Sequence, residues 1–130
     1  MLREDVCASK LLICECTFVC DEDVSRAKAG KHMYVRDLKQ LLEASRAENI
    51  VLTHFSRRQH MAVIHEQLKR HLTEDECRRI HLLMDARSNK KRWLWQQQMA
   101  ENYRVAVQKD GQVSAPNFSE VPDELAWWKA

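Results

Sequence analysis

The chain has 130 residues, enough for one ordinary domain and too few for two. Hydrophobic residues make up 45% and charged residues 31%, the balance of a globular chain rather than a disordered one. A net charge of +2 makes no global demand for nucleic acid or membrane, and with two glycines, Gly30 and Gly111, no glycine-built nucleotide loop can form.

The opening stretch, "MLREDVCASKLLICEC", sets acidic residues before an apolar run and has no small-residue cleavage pattern, so no signal peptide is expected. No apolar run approaches the roughly 18 residues of a membrane span. Five irregularly spaced cysteines predict reduced thiols in a cytoplasm rather than a disulfide framework. "KLLICECTFVC" (10–20) is apolar or small on both alternating faces and predicts a strand covered on both sides. "DEDVSRAKAGK" (21–31) reads as a loop with at most one helical turn. In "MYVRDLKQLLEASRAEN" (33–49), Val35, Leu38, Leu41 and Leu42 share one helical face. "IVLT" (50–53) is a short β-branched strand.

"RQHMAVIHEQLKRHL" (58–72) places Met61, Ile64, Leu68 and Leu72 at helical spacing. "TEDE" opens a capped helix, with Thr73 as N-cap and Glu76 three residues on. "RIHLLMD" (79–85) is a third strand or the end of that helix, because periodicity does not decide so short a run. "KKRWLWQQQMAENYRVAV" (90–107) aligns Trp95, Met99, Tyr103 and Val107 as an amphipathic helix. "QKDGQVSAPNFSEVP" (108–122) is loop or hairpin, and the closing Trp127 and Trp128 are expected to dock on the domain or on a partner.

Strands alternating with helices imply an α/β fold with βαβ units over residues 1–86, followed by a helical and loop extension over 87–130. Charge divides at the same place: residues 1–86 hold 14 basic and 14 acidic side chains, and the remainder holds 7 and 5.

Three polar residues, Glu15, His32 and His54, sit where strands are expected to end, which is where α/β folds place ligands. A carboxylate can orient an imidazole for proton transfer, and a rim histidine can bind zinc. By spacing alone, a structural role for a lone strand-end histidine is the better reading.

"ICECTF", "KHMY" and "NIVLTHFSRR", in this order and spacing, resemble the C-terminal half of the metallo-β-lactamase superfamily, and within it ribonuclease Z. Glu15, Thr17 and Phe18 match a Glu-x-Thr-Phe strand end. His32 matches a loop histidine, and Leu52 to Ser56 match Leu-Thr-His-Phe/Ile-Ser. The resemblance covers residues 11–59 and extends as far as Asp85. It implies half of an αββα sandwich, with His54 as a zinc ligand. Glu15 and His32 would form a dyad that protonates the leaving oxygen of a phosphodiester, in the class of tRNA 3′ processing. Ser56, Arg57 and Arg58 would contact substrate, Arg58 in the family's arginine position.

The sequence also departs from that pattern. The family's His-Ser-Thr is replaced around His32 by Lys31, Met33 and Tyr34, and its tyrosine after the arginine is Gln59. The family's His-x-His-x-Asp-His zinc motif does not occur, and Asp5 lies too close to Glu15 to match its bridging aspartate. A catalytic zinc takes about three protein ligands, and His54 supplies one. An incomplete zinc site, no hydrolysis by this chain alone, and a partner are therefore expected: an N-terminal half or a second copy to cover the exposed sheet.

The other candidates are weaker. Cys14, Cys16 and Cys20 lack zinc-ribbon spacing and read as core, with Cys14 and Cys16 on one strand face. His60, His65, His71 and His81 lack the i, i+4 spacing of helical zinc ligands and read as helix flanks. "KKRWLW" mixes basic and aromatic residues, as a single-stranded nucleic-acid binder does. It carries the alternative, a non-catalytic RNA- or protein-binding module or a truncated gene product.

Overall fold

The computed structural model describes residues 3–129. The chain divides into two compact units, Met1–Asp85 and Ala86–Ala130.

The first unit is a mixed α/β layer. A short helix α1 (Glu4–Cys7) leads into strand β1 (Leu11–Glu15). A 3-10 turn (Asp21–Asp23), helix α2 (Val24–Gly30) and helix α3 (Val35–Ala44) cross over to strand β2 (Asn49–Thr53). Helices α4 (Met61–His71) and α5 (Glu74–Arg78) cross over to strand β3 (Ile80–Leu82). The sheet is parallel in the order β1-β2-β3, with Glu15 opposite Thr53 and Leu52 opposite Leu82.

Alternation of side chains across a strand sorts these residues onto two faces. Ile50, Leu52, Ile80 and Leu82 are buried on one face, and Leu38, Leu42, Ile64 and Leu68 supply the fully buried helical side of the core. The other face is open. It carries Leu11 and Ile13, 55% and 66% exposed, with Val51 between Ile13 and His81 in register. The expectation of a strand covered on both sides is corrected: β1 ends at Glu15 and only one of its faces is packed. Residues 16–20 leave the sheet: Cys16 N–H still bonds the Thr53 carbonyl of β2, and beyond it Phe18 forms an isolated bridge with Tyr34.

Local signals explain the helices. The face of α3 predicted from spacing is the buried one, with Val35, Leu38, Leu41 and Leu42 all in the core. At α5 the Thr73 hydroxyl accepts the Glu76 N–H and the Glu76 carboxylate accepts the Thr73 N–H, the reciprocal cap expected there. Residues 24–30, expected to be mainly loop, form a true helix. Its end is a Schellman motif: Lys31 takes the left-handed position at φ 56°, and the His32 N–H closes on the Ala27 carbonyl. Glycine is the usual residue there, so the lysine was no stop signal. His81 sits on β3 rather than a helix flank and hydrogen-bonds Asn49 on the open face at 2.8 Å.

The second unit is helix α6 (Ala86–Asp110), a loop, and two 3-10 turns, Asp123–Leu125 and Trp127–Lys129. Trp95, Met99 and Tyr103 are half-buried along α6, whereas Val107 is exposed. Trp95 meets Phe118 edge to face at 6.2 Å, and Trp127 is buried with its ring edge to face against Trp128. Among the described residues, no helix is long and apolar enough to cross a membrane.

Candidate functional site

Parallel strands bring their carboxyl ends to one edge, and β1 and β2 end there on Glu15 and Thr53. The chain continuing from each strand is stitched to the other. Cys16 N–H bonds to the Thr53 carbonyl at 3.0 Å, and Ser56 N–H bonds to the Thr17 carbonyl at 2.8 Å. Between these bonds lies His54, in the left-handed region at φ 58°. For a residue with a Cβ that conformation costs roughly 1–2 kcal/mol. Strain of this kind gathers where a side chain must be aimed, and here it turns the imidazole back over the ends of the strands.

His32 arrives from the opposite side, directly after the left-handed Lys31 that ends α2. Its ring centroid lies 5.5 Å from that of His54, and Phe18 packs edge to face on it at 6.0 Å. Glu15, His32 and His54 thus come together, with potential ligand atoms all within 4.8 Å of one another. Spacing placed all three at strand ends; Glu15 ends β1 and His54 follows β2, but His32 follows helix α2, and the fold makes the three neighbours.

The carboxylate is heavily used. Glu15 Oε2 accepts the Thr17 N–H at 2.8 Å and the Thr17 hydroxyl at 2.7 Å, while Oε1 accepts the Met33 N–H. His32 Nδ1 stands 3.9 Å from Glu15 Oε2, an ion-pair distance rather than a hydrogen bond. Glu15 therefore holds His32 through the backbone of the next residue, Met33, and through Thr17. With three donors on its two oxygens, Glu15 orients its neighbours and is a poor candidate for direct metal ligation. The histidines fit a metal better, as neutral imidazoles are common zinc ligands.

Thr17 belongs to the Glu-x-Thr-Phe match, but the sequence assigned it no role. It is 7% exposed, and its Oγ1 lies 2.8 Å from His54 Nδ1 and 3.3 Å from His32 Nδ1. The available signal was a threonine two positions after a strand-end glutamate. Gly30 was missed too: it sits against the His32 ring.

A cleft at His54 is lined by Thr17, Thr53, Ser56 and Arg57, and also by Leu83 and Met84. Arg57 borders this cleft; Arg58 is exposed, and its N–H lies 3.4 Å from the Ser56 hydroxyl oxygen. A second group, Cys20, Glu22 and Asp23, also has ligand-type atoms within 4.8 Å of one another. Of the other histidines, His65 Nε2 bonds Asp85 at 2.7 Å, and His71 Nε2 is buried 3.7 Å from Asp21, beyond hydrogen-bond distance. Cys16 and Cys77 are buried, and all five cysteines are free thiols.

A mixed α/β unit with a glutamate and two histidines at the ends of parallel strands is thus the class of site present. No family model matches the chain. Among characterised proteins it is similar to the ribonuclease Z of Clostridium botulinum (strain Alaska E43 / Type E3), 42% identical over 48 residues. Those residues are 37% of this chain and 15% of that protein's length. The likeness supports a ribonuclease Z-like relationship over that segment.

Proposed function

We propose that this chain contributes the C-terminal part of a zinc-dependent phosphodiesterase of the ribonuclease Z kind, the class that processes tRNA 3′ ends. The convergence of Glu15, His32 and His54 at one strand edge carries the proposal, and the partial likeness to a ribonuclease Z supports it. His54 is the residue suited to ligate zinc, which when bound acts as a Lewis acid and lowers the pKa of its water. His32 is placed to hand a proton to the leaving oxygen of a phosphodiester. Glu15 holds that imidazole in place through Met33 and Thr17, and Arg57 offers charge to the phosphate.

One histidine is too few for a zinc site, so the other ligands come from a His-x-His-x-Asp-His segment, on another polypeptide or in a longer form of this one. That segment belongs to the half-sandwich that covers the open face around Leu11 and Ile13. This chain alone is then inactive.

The test is reconstitution. The chain is mixed with zinc and with the separately expressed N-terminal part of the Clostridium botulinum ribonuclease Z, and hydrolysis of bis(p-nitrophenyl) phosphate is followed. Activity should require both polypeptides, vanish in His54→Ala, and fall by about 100-fold or more in His32→Ala. A stable complex without hydrolysis would overturn the proposal.

One observation favours the alternative of an RNA-binding module. Trp93, 57% exposed on α6, follows Lys90, Lys91 and Arg92 in sequence, an arrangement suited to stacking on single-stranded bases. Zinc-independent, salt-sensitive RNA binding lost in Trp93→Ala would support that reading instead.

A further inference from the structure

We propose that Thr17 locks His54 in the Nδ1–H tautomer, leaving Nε2 as its free nitrogen. A threonine hydroxyl has one proton to donate and two lone pairs that accept. Its three polar neighbours are Glu15 Oε2 at 2.7 Å, His54 Nδ1 at 2.8 Å and His32 Nδ1 at 3.3 Å. A carboxylate only accepts, so the single proton is directed at Glu15. The oxygen then has lone pairs alone to turn toward His54. An unprotonated Nδ1 at 2.8 Å would set lone pair against lone pair, whereas Nδ1–H completes a hydrogen bond.

The backbone holds these groups in place. Thr17 N–H is also bonded to Glu15 Oε2, and the Thr17 carbonyl accepts Ser56 N–H at 2.8 Å, so the hydroxyl and the His54 loop move together. The left-handed backbone of His54 aims the ring at that hydroxyl. Carboxylate, hydroxyl and imidazole form a chain in which Glu15 orients His54 through Thr17. Outer hydrogen bonds of this kind set which histidine nitrogen can face a metal. The use of Nε2 as a zinc ligand rests on the function proposed above; the tautomer does not.

The test is a two-bond proton–nitrogen correlation spectrum of the imidazoles in the intact, nitrogen-15-labelled chain. It is recorded metal-free at mildly alkaline pH. His54 should show the Nδ1–H pattern in the natural protein and in Thr17→Ser, which keeps the hydroxyl. Thr17→Val, which keeps the shape and loses the hydroxyl, should lose that single pattern and show mixed tautomers. An Nε2–H pattern for His54 in the natural protein overturns the proposal without recourse to any variant. So does an unchanged Nδ1–H pattern in a folded Thr17→Val. Failure of the reconstitution overturns the zinc reading and leaves the tautomer standing, so the two failures are distinguishable.

Discussion

A Cβ placed on Gly30 would stand 2.9 Å from Cδ2 of His32, closer than real side chains approach. The glycine ends α2 and leaves room for the imidazole to fold over it. Gly30→Ala should improve helix propensity and yet displace the His32 ring, whose Cδ2 edge the new methyl would press on. The expected result is a changed set of His32 ring chemical shifts with little change in melting temperature. Unchanged His32 ring shifts would show that the ring does not depend on the glycine.

Arg79 closes the end of α3. Its guanidinium donates to the carbonyls of Ala47, Leu42 and Ser45 at 2.9, 3.0 and 2.9 Å. A planar fork serves three carbonyls where an ammonium cannot. Arg79→Met should cost about 2 kcal/mol of stability in urea unfolding, through carbonyls left unpaired. Arg79→Lys should recover less than half of that. A loss within experimental error would refute the role.

Acid should weaken the packing of α5. Burial pushes the Glu76 carboxyl up, but the Lys39 ammonium and the Thr73 hydrogen bonds outweigh it and hold the group below its ordinary 4.5. A depressed carboxyl stabilises the fold above its unfolded value, and the gain is lost as pH falls through the folded value. Stability should therefore drop as pH falls below about 4.5, the ordinary value of the group. Glu76→Gln should cost roughly 1 kcal/mol at neutral pH and flatten part of that acid limb. Melts at a series of pH values decide it.

The thiols should divide by burial. Burial, with the Glu15 charge, pushes the Cys16 thiol far up, and burial pushes Cys77 to about 11. Both should resist iodoacetamide at neutral pH in the native chain and react on unfolding, because the thiolate is the reactive form. Peptide mass mapping reads the order of modification. Early labelling of Cys16 would mean that the loop after β1 opens readily.

The open sheet face should drive association. Leu11 and Ile13 are largely exposed on it, and Leu83 and Met84 are exposed just beyond β3. Exposed apolar side chains on a sheet face mark an interface where they form one patch. The chain alone should self-associate in sedimentation, and Ile13→Lys should shift it toward monomer and block reconstitution with an N-terminal half. A sharp monomer with a two-state melt in the natural chain would count against a partner on this face.

The sequence by itself determined the elements whose signals are local. Val35, Leu38, Leu41 and Leu42 recur at helical spacing and are the buried face of α3. Thr73 and Glu76 lie one turn apart and make their cap wherever the helix stands. The motifs around Glu15, His32 and His54 carried the resemblance to ribonuclease Z, and the partial match to one such enzyme supports it. The tertiary structure decided the rest. Both faces of β1 read as apolar, and no pattern within the strand says which of them is covered. The Thr17 hydroxyl meets an imidazole 37 positions away, and Arg79 reaches carbonyls 32 to 37 positions away. Neighbours within one turn are specified by their own spacing. Neighbours across parallel crossovers exist only once the strands are in register and their ends share an edge.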